Sequence, residues 1–254
     1  MTLRRLLPLS LLAAALAAVA AAQTLTIIRN IDAPNYDGVR TTAGATGEVL
    51  FKTGDTLVAL DYDLKTVRPS LATSWEVSPD GTTYTFKLRD DVTFCSGKKF
   101  TAEDVVYTFQ RVLDKETRAP FIWRMGPAVS VTAKDATTVE YKMSAPFSEL
   151  LLNMTNFHAT IVNRESVEAL GKDYGIKGMD GTGPYCFQSW EPRNQTVGTR
   201  HEAYRWGPPV YQNRGPAKFQ RVVWKIVPEE AARLATMASG QGDLTYTMPD
   251  QYLP

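Results

Sequence analysis

Cysteine and histidine are scarce in this chain of 254 residues, which holds two of each. Two cysteines, Cys95 and Cys186, do not make a disulfide framework. They can pair with each other in an oxidising compartment, or remain as buried thiols in the strand-like contexts TFCSG and PYCFQSW. His158 and His201 have no Cys, His or carboxylate neighbour at metal-ligand spacing. The G-x-S-x-G elbow, the H-E-x-x-H motif and the P-loop are all missing. Charge of one sign is missing as well. Lys+Arg 28 against Asp+Glu 27 leaves a formal net charge of +1, so no global field draws the chain to nucleic acid or anionic lipid. After residue 22 there is no apolar run long enough to span a bilayer.

Two features imitate chemistry without supplying it. Asp90 and Asp91 form a carboxylate pair, but adjacent strand residues point to opposite faces, so a solvated turn is expected. Gly181-Thr182-Gly183-Pro184 has the look of a phosphate loop. Pro184 removes an N–H where a cradle needs one, and a strand follows instead of a helix. A secreted hydrolase would therefore have no discernible nucleophile–base pair.

What is present begins with a leader. Arg4 and Arg5, the apolar run Leu6–Val19 and the small residues Ala20-Ala21-Ala22 read as a cleavable signal peptide over residues 1–22. No cysteine stands at the cleavage point to take lipid, so a soluble exported protein is expected, periplasmic in a cell with two membranes. The 44% hydrophobic content suffices for one large or two small cores.

The remaining chain is organised around Leu88–Phe109. Thr101 can cap a helix with Asp104 three residues on, and Phe100 and Val105 occupy the two staple positions. Ala102, Val105, Val106, Phe109, Val112 and Leu113 recur at helical spacing, which leaves Glu103, Asp104 and Gln110 outward. Thr24–Arg29 reads as the first strand, and Thr46–Leu60 as a helix giving way to an extended segment. Trp75–Val77 and Tyr84–Leu88 make a hairpin about Ser78-Pro79-Asp80-Gly81. Val129–Met143 makes a second, turning at Lys134-Asp135. A short helix is expected over Phe147–Met154, a strand over Thr160–Val162, and a helix from the Asn163 cap to Gly171. Val222–Val227 is a buried strand, Glu229–Ser239 a helix stopped by Gly240, and Leu244–Met248 extended. Trp75, Trp190, Trp206 and Trp224 fall on strands or their ends, where core packing is expected. Trp123 lies in an irregular span between Arg118 and Arg124, where it either plugs the core or stacks on a ligand whose carboxylate the arginines hold.

Several ordered motifs carry a family resemblance. PSLATSWEVSPDG at Pro69–Gly81, TYTFKLRDDVTF at Thr83–Phe94 and TAEDVVYTF at Thr101–Phe109 are followed by GTGPY at Gly181–Tyr185 and VPEEAARLATMASGQGDL at Val227–Leu244. Together the chain resembles the family 5 extracellular solute-binding proteins of ABC importers, the peptide, dipeptide and nickel type. It departs from that pattern at Cys95-Ser96-Gly97, where the family often has His-Asp-Gly, and at Asp91, where it often has Gly. Another departure is His201-Glu202-Ala203-Tyr204-Arg205-Trp206 in place of Asn-x-x-Tyr-Trp.

The resemblance implies an α/β fold of the periplasmic-binding-protein type (type II, cluster C) that closes on a solute by a hinge. Family members run to roughly twice this length. The chain is thus expected to carry the first lobe and to lack the second, with residues 23–45 and 175–254 as its main part and 46–174 as an inserted, hairpin-rich subdomain. The implied function is capture of a small solute, a peptide in the first instance, for delivery to the permease subunits in the membrane. No cofactor, metal, nucleic acid or catalytic group is implied, and a monomer is expected. A truncated sensory derivative is the alternative. The implied cleft wall comprises Asn30, Ile31, Asp32 and Tyr36 after the first strand, then Arg118, Trp123 and Arg124, then His158, and finally Tyr246 and Met248.

Overall fold

The computed structural model describes residues 23–247, so the leader and Met248 lie outside the described residues. The chain enters through β1 (Thr24–Arg29), then α1 (Gly44–Thr53) and a short ribbon of β2 (Val58–Leu60) and β3 (Val67–Pro69). A hairpin of β4 (Ala72–Val77) and β5 (Thr83–Leu88) leads to α2 (Ala102–Leu113). A second hairpin, β6 (Ala128–Asp135) and β7 (Thr138–Met143), precedes α3 (Leu150–Asn153) and α4 (Arg164–Leu170). The chain then runs through β8 (Tyr185–Glu191), β9 (Gln195–Arg200), β10 (Arg221–Ile226), α5 (Glu230–Ala238) and β11 (Leu244–Thr245). Among the described residues no helix is long and apolar enough to cross a membrane.

Two sheets organise these elements. The first has the order β11-β1-β10-β9-β8. In it β1 runs parallel to both neighbours, with Ile27 opposite Trp224 and Leu244. Strands β10, β9 and β8 follow as antiparallel neighbours. Ile27, Tyr36, Ala45, Val49, Tyr185, Val222 and Trp224 form the core of this sheet. The expected subdomain boundary at residue 46 falls inside α1, whose Ala45 and Val49 belong to that core.

The second sheet is antiparallel, ordered β4-β5-β7-β6, and α2 lies against it. Tyr84, Phe86 and Leu88 are buried at period two, as the alternation on β5 requires. They join Val105, Phe109 and Val112 of α2 in one core, where Phe109 meets the ring of Tyr141 edge-on at 5.6 Å. The start of α2 is fixed as its sequence dictates. The Asp104 carboxylate accepts the Thr101 N–H at 3.1 Å, and Phe100 and Val105 are both buried.

Four local expectations are corrected. Asp104 faces inward, because Lys98 folds over the helix start and donates to both carboxylate oxygens at 2.7 and 2.9 Å. Thr160–Val162 is extended but joins no sheet, and the Ile161 N–H bonds instead to the Asp55 carbonyl. The helix expected over Phe147–Met154 shrinks to α3. Trp206 stands on a loop beyond β9, not on a strand, although it is buried.

The two sheets are joined at a seam where glycine is obligatory. A Cβ on Gly181 would stand 2.0 Å from the Thr53 carbonyl oxygen, and one on Gly183 2.5 Å from the Gly54 nitrogen. The GTGPY motif is therefore a close backbone approach to the end of α1. Thr182 between the two glycines is fully buried and donates to Asp55 at 2.9 Å. Beside this seam Cys95 and Cys186 are bonded, with Cα atoms 5.6 Å apart, which excludes the free-thiol alternative.

Candidate functional site

Ligands of sheets with parallel strands gather beyond the strands' C-terminal ends. Here that edge carries Arg29 at the end of β1 and Asn30 after it, Val227 after β10 and Tyr246 after β11. Arg29 is buried and donates from Nη2 to the Ala45 carbonyl at 2.8 Å, while its Nε lies 3.1 Å from the Glu48 carboxylate. Among the described residues its Nη1 has no hydrogen-bond partner. Burial pushes the Glu48 carboxyl up, partly countered by the Arg29 charge. Asn30 is exposed, Ile31 is 63% exposed and Tyr246 58%. Three of the expected contact residues thus offer open surface at this end of the sheet.

Asp32 and Tyr36, from the same loop, are committed inside the protein. The Asp32 carboxylate accepts from Trp190 Nε1 at 3.1 Å and from the Arg193 N–H at 2.8 Å, holding the β8–β9 turn. Tyr36 is fully buried, shares a hydrogen bond with the Thr196 hydroxyl and packs edge-on against Trp190. Burial pushes its hydroxyl pKa up.

His158 is a junction. Its ring stacks on Phe121 at 3.8 Å, and its Nδ1 lies 3.2 Å from the Gly38 carbonyl. It thereby ties the loop after β1 to the irregular span after α2. Burial lowers its pKa to about 4, and the nearby Arg124 charge works in the same direction. The ring is therefore neutral at pH 7, with the proton on Nδ1 facing the carbonyl. Tyr36 and His158 both border an interior crevice of only about 10 Å³, too small for a solute.

Outside that junction the surface changes character. Trp123 is 64% exposed and does not plug the core, and the Arg124 guanidinium lies over its ring at 5.1 Å. Arg118 is exposed and takes the left-handed backbone conformation, with φ +51°. An exposed aromatic ring with a guanidinium group over it can stack on an apolar or planar group and hold a carboxylate.

One cluster was invisible in the sequence. Asp55 is buried at the seam, where it accepts from Thr182 Oγ1 at 2.9 Å, Tyr204 OH at 3.1 Å and Trp206 Nε1 at 3.2 Å. Desolvation dominates over these donors and raises its pKa to about 6. The Tyr204-Arg205-Trp206 stretch stood out in the sequence only as part of a departure from the family pattern, and the acceptor lies 149 and 151 residues from its two donors. Asp90 and Asp91 are both exposed, and Asp91 pairs with Arg89 at 2.6 Å.

Comparison with known proteins gives this geometry a family. The model of the bacterial extracellular solute-binding proteins, family 5 (middle), matches residues 66–254. The glutathione-binding protein GsiB of Pectobacterium atrosepticum is 29% identical over 193 residues, covering 76% of this chain and 36% of that protein. The probable D,D-dipeptide-binding periplasmic protein DdpA of Escherichia coli is 30% identical, covering 72% of this chain and 34% of that protein. Among solved structures, the periplasmic binding protein DppA of Helicobacter pylori in complex with the peptide STSA aligns with a TM-score of 0.78 at 27% identity. The alignment covers 89% of this chain and 46% of that one. A dipeptide-binding protein of Pseudoalteromonas sp. SM9913 in complex with Met-Leu has the same fold, with a TM-score of 0.80 at 22% identity over 91% and 48%. The chain thus spans about a third of the length of these curated relatives and under half of the solved chains. It belongs to the family 5 bacterial extracellular solute-binding proteins and has their α/β fold.

Proposed function

From that membership we infer that the chain is the solute-capturing component of an ABC importer, acting in the periplasm and handing its solute to membrane permease subunits. The observation that carries this reading is the family match over residues 66–254, with relatives named for glutathione and for D,D-dipeptides. Both names describe short peptidic molecules, so a small peptide is the proposed solute class. The leader over residues 1–22 would direct export, and the protein would act as a monomer without a cofactor and without catalysis.

The solute would lie beyond the C-terminal end of β1. Asn30 and Ile31 would offer main-chain and side-chain contact there, and Tyr246 would border the opposite side of that strand. Trp123 would stack against a side chain of the peptide, and Arg124 or Arg118 would hold its carboxylate. Asp32, Tyr36 and His158 would act from behind, by fixing the loop after β1. Residues 46–174 would be the subdomain inserted into the lobe. The described residues supply one wall of contact, so these 254 residues taken by themselves should bind a peptide weakly.

Isothermal titration of di- and tripeptides into the 254-residue chain tests the reading. Weak, saturable binding that Trp123→Ala diminishes at least several-fold is the expected result. Tight stoichiometric binding, or hydrolysis of the peptide, would contradict it.

A further inference from the structure

The fold brings together three ligating side chains that lie far apart in the sequence. Both sulfurs of the Cys95–Cys186 bridge and a ring nitrogen of His201 lie within 4.8 Å of one another. We propose that Cys95, Cys186 and His201 form a redox-gated site for a thiophilic divalent cation such as Zn²⁺, closed while the bridge is intact and opened when it is reduced.

The geometry suits such an ion. In a tetrahedral zinc site, Zn–S of about 2.3 Å and Zn–N of about 2.0 Å put the ligand atoms roughly 3.5–3.8 Å apart. Once the bond is broken, rotation of the two cysteine side chains reaches that separation from the present positions. The histidine ring is held in place. Its Nδ1 lies 3.0 Å from the Gly183 carbonyl, an acceptor only, so the ring proton resides on Nδ1 and Nε2 keeps its lone pair. A ring buried and anchored in this way loses little freedom on binding a metal.

The site does not depend on the disulfide to stay assembled. The Cys95 N–H donates to the Gly181 carbonyl at 3.0 Å, and the Ser96 N–H and hydroxyl donate to Asp180 at 3.1 and 2.6 Å. The His201 N–H donates to the Pro184 carbonyl at 3.0 Å, and Cys186 is held in β8 opposite Thr199 of β9. Four hydrogen bonds and a strand ladder therefore hold the three ligands together after reduction.

The chemistry balances with an external dithiol as reductant. The dithiol delivers two electrons and two protons to the Cys95–Cys186 bond and leaves as a cyclic disulfide, and two thiols remain. Metal binding then releases both thiol protons, so that two thiolates and one neutral imidazole face the ion and a fourth position is open to water or an added ligand.

Cobalt(II) is the probe. The full chain is reduced with dithiothreitol, freed of reductant without oxygen and titrated with Co²⁺, while absorbance and circular dichroism are followed together. The reduced chain should bind one cobalt with thiolate-to-cobalt charge-transfer absorption, and the oxidised chain should show no such band. Cys186→Ser should lose the two-thiolate spectrum, and His201→Gln should weaken cobalt binding about tenfold or more. The proposal fails if the reduced, folded chain shows no charge-transfer band, or if His201→Gln binds cobalt as tightly as the parent. Should reduction unfold the chain, recovery of the native dichroism on adding cobalt, in the parent but not in His201→Gln, is the supporting result. Absence of that recovery overturns the proposal.

Discussion

Two buried groups titrate against each other in the acid range. For His158 the folded value of about 4 lies below the ordinary 6.5, so between these limits the unfolded chain binds a proton that the folded chain refuses. Its contribution to stability is complete above pH 6.5 and is lost as pH falls toward 4. For Asp55 the folded value of about 6 lies above the ordinary 3.8, so here the folded chain binds the extra proton. That contribution is complete below pH 3.8 and is lost as pH rises through 6. Each effect is on the order of 3 kcal/mol, and they cancel in part. Urea unfolding at pH 4.5 and pH 7 should separate them. Asp55→Asn should make the protein relatively more acid-sensitive, and His158→Gln relatively less. Equal pH dependence in both variants and the parent would show that neither group titrates as described. Neither role was legible in the sequence. His158 was expected as a contact for a solute, yet its ring belongs to a junction built from Phe121 and Gly38, 37 and 120 residues away.

Among the elements, those set by local rules were readable and those set by distant contacts were not. β1 and the start of α2 match their sequence readings because alternation, capping and stapling act within a few residues. Thr160–Val162 has strand composition but no partner strand, since its Ile161 N–H is taken by the Asp55 carbonyl just beyond α1. Asp104 has the spacing of an exposed residue, but a lysine six positions earlier covers it. The GTGPY segment drew notice for its glycines, while their reason, the backbone of Thr53 and Gly54, lies more than 120 residues away. Gly181→Ala should cost about 2 kcal/mol or more, because the clashing atom is a main-chain oxygen that cannot rotate away. A chemical denaturation midpoint unchanged from the parent would refute the close approach. The disulfide links elements 91 residues apart, so Cys95→Ser/Cys186→Ser should lose about 3–4 kcal/mol in the same assay.

At the scale of the molecule, a five-stranded mixed sheet and a four-stranded antiparallel sheet meet at a seam closed by Asp55, the two glycines and the disulfide. That construction leaves the end of β1, with Asn30, Ile31 and Tyr246, open on one side. If this open face takes a small peptide, thermal melting of the 254-residue chain against a ligand panel will show it. Di- and tripeptides at millimolar concentration should raise the melting temperature by a few degrees, about 2–4 °C for each kcal/mol of binding. Oligosaccharides and nickel chelates should not, and Trp123→Ala should reduce the peptide's effect while leaving the ligand-free melting temperature unchanged. A rise with an oligosaccharide or a nickel chelate alone, or no rise with any peptide, would rule out a peptide site on this face.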